Sequence, residues 1–230
     1  MRRAAAIPIV AILFASCTRS GEPRPGSLVR FETDDGIVLT GELRGTGPAA
    51  VVMAHAYPED RRSWADFAEF LQGKGYLTLT FDFRGYGDSA GEQDVPEMWR
   101  DVVAATARLR ARGADRVVLI GASMGGTASL IAAARSSVNG VITLSAPTTF
   151  MGLSAPAEVL AAIDEPKLFL AAAGDGSAAE SAQALYEQSS GGKRVEIVTG
   201  EGHGTELLEG GQTEVVRNLI LQFLAANTKV

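Results

Sequence analysis

Beyond the first 27 residues, the apolar positions follow two rhythms that alternate along the chain. Val29–Thr33 and Ile37–Leu43 alternate apolar and polar, and Asp35-Gly36 between them marks a hairpin. Ala49–Ala54 (AAVVMA) is continuously apolar, as in a strand covered on both faces. Ser63-x-x-Asp66 opens the amphipathic run Trp64–Gly73 and has the form of a capping box. Tyr76–Phe81 reads as a strand. Pro96 and Glu97 start a helix that runs to about Arg112, with Gly113 at its end. Strand and helix then alternate: Arg116–Ile120, Met124–Ser136, Gly140–Leu144, Ala155–Ile163, Lys167–Ala171, Ala178–Gln188, Arg194–Val198 and Glu214–Ala225. An opening hairpin followed by repeated β-α units predicts a mostly parallel sheet covered by helices on both faces. No internal repeat and no second domain are legible.

Composition narrows the picture. The chain has 230 residues, 46% hydrophobic and 21% charged, which suits one α/β domain. Its 26 Gly and 9 Pro fall short of the share that marks low-complexity chains. With 21 basic and 27 acidic residues the net charge is −6, so a nucleic-acid partner is not expected, because binding phosphates needs a surplus of cations. One Cys excludes an internal disulfide. One Cys and two His fall short of the four N/S ligands of a structural zinc site.

The N-terminal segment has its own logic. Arg2 and Arg3 precede the uncharged run Ala4–Cys17 (AAAIPIVAILFASC), too short for the ~20 apolar residues of a membrane span. A basic start, a short apolar stretch and small residues at its end describe a secretory signal, expected over residues 1–16. Leu13-Phe14-Ala15-Ser16-Cys17 resembles the lipobox of bacterial lipoprotein signals, which implies that Cys17 is lipidated and becomes the mature N-terminus. Thr18 rather than Asp follows it; by resemblance to Gram-negative lipoproteins this implies sorting to the outer membrane, at its periplasmic face. The plain alternative is an ordinary signal cleaved near Ser16. Losing residues 1–16 removes two Arg and no acid, leaving −8. Residues 17–27, the Cys followed by a Gly-, Pro- and Ser-rich stretch, read as a flexible tether. Residues 28–230 are the domain.

The motif with the most chemical content lies between a strand and a helix. Val117–Ile120 runs into Gly121-Ala122-Ser123-Met124-Gly125-Gly126 and then an apolar helix. This is G-x-S-x-G in the strand–turn–helix setting of a nucleophile elbow. A Cβ at 121 or 125 would collide with the neighbouring strand and helix. Ser123 Oγ is expected at the C-terminal edge of the sheet, where open α/β sheets bind ligands. A serine hydroxyl needs a base at neutral pH. In the order nucleophile, acid, His, the base is His203, in Gly200-Glu201-Gly202-His203-Gly204 after the last strand. The acid must follow a strand between the two. Ser145-Ala146-Pro147-Thr148 offers no carboxylate, whereas Ala172-Ala173-Gly174-Asp175 does, so Asp175 takes the role of orienting His203. The three are expected to form one hydrogen-bonded chain. His55-Ala56-Tyr57-Pro58 follows the third strand. An oxyanion needs two convergent N–H donors, here Met124 and Tyr57, or Ala56 in place of Tyr57. His55 is read as fixing that loop.

On these segments, together with FDFRGYGDSAG at 81–91, the chain resembles an α/β-hydrolase over residues 28–230, close to the serine aminopeptidase-like and dienelactone-hydrolase-like bacterial branches. The resemblance implies an eight-stranded, mostly parallel sheet and acyl-transfer chemistry. Family members usually carry His-Gly where His55-Ala56 stands here. Dienelactone hydrolases proper use Cys where Ser123 stands. Arg84 and Asp88 precede the nucleophile and are read as holding their loop, and Trp64 and Trp99 as helix core faces. Caps in this fold usually follow the sixth strand, and Ala146–Pro166 holds a loop and one helix only, so no large cap is expected. An open site walled by Tyr57, Phe150, Met151 and Leu153 suits small or medium acyl esters or thioesters. A peptidase or amidase, or a hydrolase-fold binding protein of low turnover, are the alternatives. No metal or organic cofactor is expected, because the triad supplies base and nucleophile itself.

Overall fold

The computed structural model describes residues 26–229. The signal reading over 1–16, Cys17 and nearly all of the tether lie outside the described residues. Eight strands form one sheet: β1 (Ser27–Glu32), β2 (Val38–Arg44), β3 (Ala49–Ala54), β4 (Leu77–Phe81), β5 (Arg116–Ala122), β6 (Val141–Leu144), β9 (Lys167–Ala172) and β10 (Lys193–Val198). A two-stranded hairpin, β7 (Thr149–Phe150) with β8 (Leu153–Ser154), lies between β6 and β9 in the chain. The helices are α1 (Ala65–Gly73), α2 (Met98–Ala111), α3 (Met124–Ala133), α4 (Ala157–Ala161), α5 (Ala178–Gln188) and α6 (Thr213–Asn227).

The sheet order is β1-β2-β4-β3-β5-β6-β9-β10. β2 runs antiparallel to both of its neighbours and every other pairing is parallel, so β2 is the one reversed strand. The apolar strands sort their side chains by strict alternation. Ala50, Val52 and Ala54 of β3 join the core under α2, α3 and α5, while Val51 and Met53 join the core under α1 and α6. Both faces of the sheet are thus covered, as the sequence implies. Every residue of α3 is buried, which explains why its sequence shows almost no polar face.

Local chemistry departs from expectation at the first helix and at Trp99. The first helix is not entered through a Ser63 capping box. Asp60 caps a 3-10 turn over Arg61–Trp64 by accepting from Arg62 N–H, and Ser63 Oγ donates instead to the Asp60 carbonyl. Arg84 and Asp88 do hold their loop, but not through each other. Arg84 pairs with Asp101 of α2 and with Asp35, whereas Asp88 pairs with Arg61. Trp64 is fully buried, but Trp99 is only partly buried and has the guanidinium groups of Arg100 and Arg135 over its ring, 4.6 and 4.7 Å from the ring centre.

Candidate active site

Five segments reach one cleft at the C-terminal edge of the sheet: those after β3, β5, β6, β9 and β10. The cleft holds about 430 Å³ and is lined by Tyr57, Ser123, Ser145, Phe150, Asp175 and His203, among others. Tyr57 and Phe150 form the expected apolar wall, their rings 5.6 Å apart. Met151 and Leu153 do not join it. Leu153 turns into the core under α3, and Met151 stands exposed at the hairpin tip. The segment 146–166 adds only the hairpin and the short α4, so among the described residues the cleft has no large cap.

The turn after β5 has the strained form its glycines imply. Ser123 has φ +49° and ψ −118°, a conformation that side-chain-bearing residues seldom take. A Cβ on Gly121 would strike the Gly125 carbonyl, and one on Gly125 would strike the carbonyls of Ala54 and His55 at the end of β3. The turn closes this tightly only because both positions lack a side chain. α3 starts at once, with Gly126 N–H and Thr127 N–H donating to the Ser123 carbonyl. Its first turn points N–H groups and the positive end of the helix dipole toward the cleft.

His203 and Asp175 come together across β9 and β10. His203 Nδ1 lies 2.9 Å from each carboxylate oxygen of Asp175 and donates to it, which leaves Nε2 with its lone pair free. The backbone on the far side is fixed too: His203 N–H donates to Glu206 Oε2, and Glu206 N–H donates to the His203 carbonyl. Asp175 is nearly buried while the His203 ring is about half exposed, so the imidazole sits over the mouth of the cleft. Of the two expected links in the triad, the structure holds the His203–Asp175 one. Ser123 Oγ makes no hydrogen bond among the described residues, as is common before substrate draws the pair together.

His55 lies inside the protein, not in the cleft. Nδ1 donates to the Ala56 carbonyl at 2.8 Å, and Nε2 accepts from Phe83 N–H at 3.1 Å. Burial lowers its pKa and favours the neutral ring. The bond to Ala56 has a directional consequence. The same carbonyl also accepts from Glu59 N–H, so the Ala56–Tyr57 peptide plane is held from one side. In a trans peptide the Tyr57 N–H points the opposite way. Neither Tyr57 N–H nor Met124 N–H has an acceptor among the described residues.

Two features of the cleft were not read from the sequence. Ser145 lines it with a buried hydroxyl, and Ser177 and Ser181 add two more hydroxyls from the start of α5. No Lys or Arg is among the lining residues, and among the described residues no group of three or more His, Cys, Asp or Glu could hold a metal ion.

A family model described as "alpha/beta hydrolase fold" matches residues 49–165. The chain belongs to that family. An uncharacterized protein of Mycobacterium tuberculosis is 27% identical over 226 residues, covering 86% of this chain and 79% of that protein. Among solved structures, the Pyrococcus furiosus esterase Pf2001 matches with a TM-score of 0.78 at 19% identity, covering 96% of this chain and 97% of that one. A dienelactone hydrolase from Anabaena variabilis matches at 0.76 and 22%, covering 90% and 100%. At these identities the two structures speak for the fold.

Proposed function

We propose that the protein is a serine hydrolase that cleaves small or medium esters or thioesters through an acyl-enzyme on Ser123. The observation that carries this is the His203–Asp175 pair at 2.9 Å, in the same cleft as a serine held at φ +49°. In this reading His203 Nε2 takes the Ser123 proton as Oγ attacks the carbonyl carbon. The oxyanion accepts hydrogen bonds from Met124 N–H and Tyr57 N–H. Tyr57 is preferred over Ala56 because the clamped Ala56 carbonyl fixes the direction of the Tyr57 N–H. His203 then gives its proton to the leaving alcohol or thiol. Water, deprotonated by the same imidazole, releases the acid and restores Ser123. Asp175 keeps the proton of neutral His203 on Nδ1 and stabilises the imidazolium. Ester rather than amide cleavage is favoured by a cleft with no deep cap to hold a peptide. The similarity in fold to an esterase points the same way.

Ser123→Ala and His203→Ala are expected to lower kcat on p-nitrophenyl butyrate by ~10³–10⁶ with the fold intact. Near wild-type turnover in either variant contradicts the assignment.

The export and anchor reading extends this proposal on sequence grounds alone. Lipid on Cys17 would hold the domain at a bacterial membrane, since two or more acyl chains anchor stably where one does so marginally. Among the described residues no helix is long and apolar enough to cross a membrane. Full-length protein is expected in the membrane fraction with a lipid mass increment, and Cys17→Ala in the soluble exported fraction. Soluble behaviour of both, with no added mass, contradicts the anchor.

A further inference from the structure

β5 and β6 are adjacent parallel strands with Ala122 opposite Leu144, so Ser123 and Ser145 leave the sheet side by side. Their Cα atoms stand about one strand spacing apart, ~4.8 Å. Both have left-handed backbones, with φ +49° at Ser123 and +56° at Ser145. Ser145 N–H donates to the Leu170 carbonyl at 2.7 Å, and Thr127 Oγ1 donates to the Pro147 carbonyl at 2.6 Å, which pins the turn in place. The Ser145 side chain is fully buried, lines the cleft, and its hydroxyl has no hydrogen-bond partner among the described residues.

For stability alone this residue is a poor choice. A left-handed position favours Gly, and a buried hydroxyl without a partner is costly. The second cost falls away if the missing partner arrives with the substrate. It would have to be an oxygen on the group bound next to Ser123.

We infer that Ser145 is a specificity-determining residue whose hydroxyl hydrogen-bonds an uncharged oxygen substituent on the acyl chain of the substrate. The inference rests on the serine-hydrolase reading of the same cleft. The acyl side follows from exposure. The leaving group departs past His203, at the open mouth of the cleft, whereas Ser145 lies at its buried base, beside the part that stays bonded to Ser123. One strand spacing places the substituent within about two or three bonds of the scissile carbonyl carbon. It is a hydroxyl or keto oxygen rather than a carboxylate. The lining has no cation to pair an anion, and Asp175 would repel one. Ser177 and Ser181 add two more hydroxyls to the same lining.

The test compares kcat/KM on the p-nitrophenyl esters of butyrate, 2-hydroxybutyrate and 3-hydroxybutyrate, for wild type, Ser145→Ala and Ser145→Gly. Ratios between proteins cancel the intrinsic reactivity of each ester. Wild type is expected to favour at least one hydroxy ester, and in both variants the ratio of hydroxy-ester to butyrate kcat/KM is expected to fall by about 3–15-fold. Gly relieves the backbone at 145, so Ser145→Gly is expected to melt at or above the wild-type temperature, which removes misfolding as an explanation. Equal hydroxy-to-plain ratios in wild type and both variants, with active hydrolysis throughout, overturn the role of Ser145 and leave the hydrolase reading standing. Absence of turnover on all three esters, with no fluorophosphonate label on Ser123, overturns both.

Discussion

In the Phe83–Ala90 loop Arg84 forms a buried ion pair with Asp101 of α2, and breaking that pair should destabilise the domain in a pH-dependent way. Arg84 Nε and Nη2 donate to Asp101 Oδ1 at 2.9 and 2.7 Å, and Arg84 N–H donates to Oδ2 at 2.8 Å. The Arg84 side chain is 4% exposed and that of Asp101 is 0%. Arg84 also reaches Asp35, whose carboxyl its hydrogen bonds hold down to about 2. Replacing Arg84 by Met leaves Asp101 buried with only a backbone donor. Losing one partner of a buried pair costs about 3–5 kcal/mol. The surviving N–H places this case near the lower figure, and the half-exposed Asp35 contact adds at most ~1 kcal/mol. Against a total stability of roughly 5–15 kcal/mol, that is a large fraction. The sign with pH follows from burial, which pushes Asp101 up to about 6 against the pull of Arg84. Its folded value lies above its unfolded one, so wild type loses stability from this group as pH rises from about 4 to 6 and is level above that. Without Arg84 the folded value moves higher and the loss continues past pH 6. Urea melts at pH 5 and pH 8 are the assay. The Arg84→Met midpoint should fall by ~1–2 M at pH 8 and by less at pH 5. Adding Asp101→Leu should recover much of the loss, because no charge is then left buried. A single-variant deficit below ~1 kcal/mol, or one equal at the two pH values, refutes the reasoning.

Two further outcomes follow from the site. Gly125→Ala drives a methyl into the Ala54 and His55 carbonyls, so kcat should fall at least ~10-fold and Tm by several degrees; unchanged kinetics would mean that the elbow yields. His55→Asn should cost about 2–4 kcal/mol by unpairing Phe83 N–H or the Ala56 carbonyl and opening a cavity, while the shape of the kcat/KM pH profile stays the same, because the buried His55 is neutral and takes no proton from substrate. A displaced profile would give His55 a direct part in the chemistry.

What could be read from the sequence was whatever depends on a local period or a fixed spacing. Ala49–Ala54 and Ala178–Gln188 match β3 and α5 at both ends, because an unbroken apolar run and a clear amphipathic run leave little choice of boundary. The elbow was legible because its glycines answer to contacts within five residues and with the adjoining strand. Features decided by distant parts of the chain were not. Arg84 meets partners 17 and 49 positions away, and no local pattern marks Asp101 or Asp35 as those partners. The hairpin of β7 and β8 has two residues per strand, too few for a period to register. Met151 and Leu153 read as wall because both are large and apolar, but Met151 lies in the tight turn at φ +44° and stands in solvent, whereas Leu153 on β8 faces the core. The turn after β6 reads as a segment without a carboxylate, and nothing in its local pattern marks the Ser145 hydroxyl. Its place, one residue past a strand end at the active edge, was the available signal.

In the proposed mechanism Ser123 is a nucleophile activated by His203, which Asp175 orients. Intact-protein mass spectrometry after brief exposure to a fluorophosphonate tests this most directly, with peptide mapping of wild type, Ser123→Ala, His203→Ala and Asp175→Asn. One adduct is expected on Ser123 in wild type and none in Ser123→Ala, with labelling slowed by at least ~10²-fold in His203→Ala and by a similar or smaller factor in Asp175→Asn. An adduct on another residue, or labelling of His203→Ala at the wild-type rate, contradicts it.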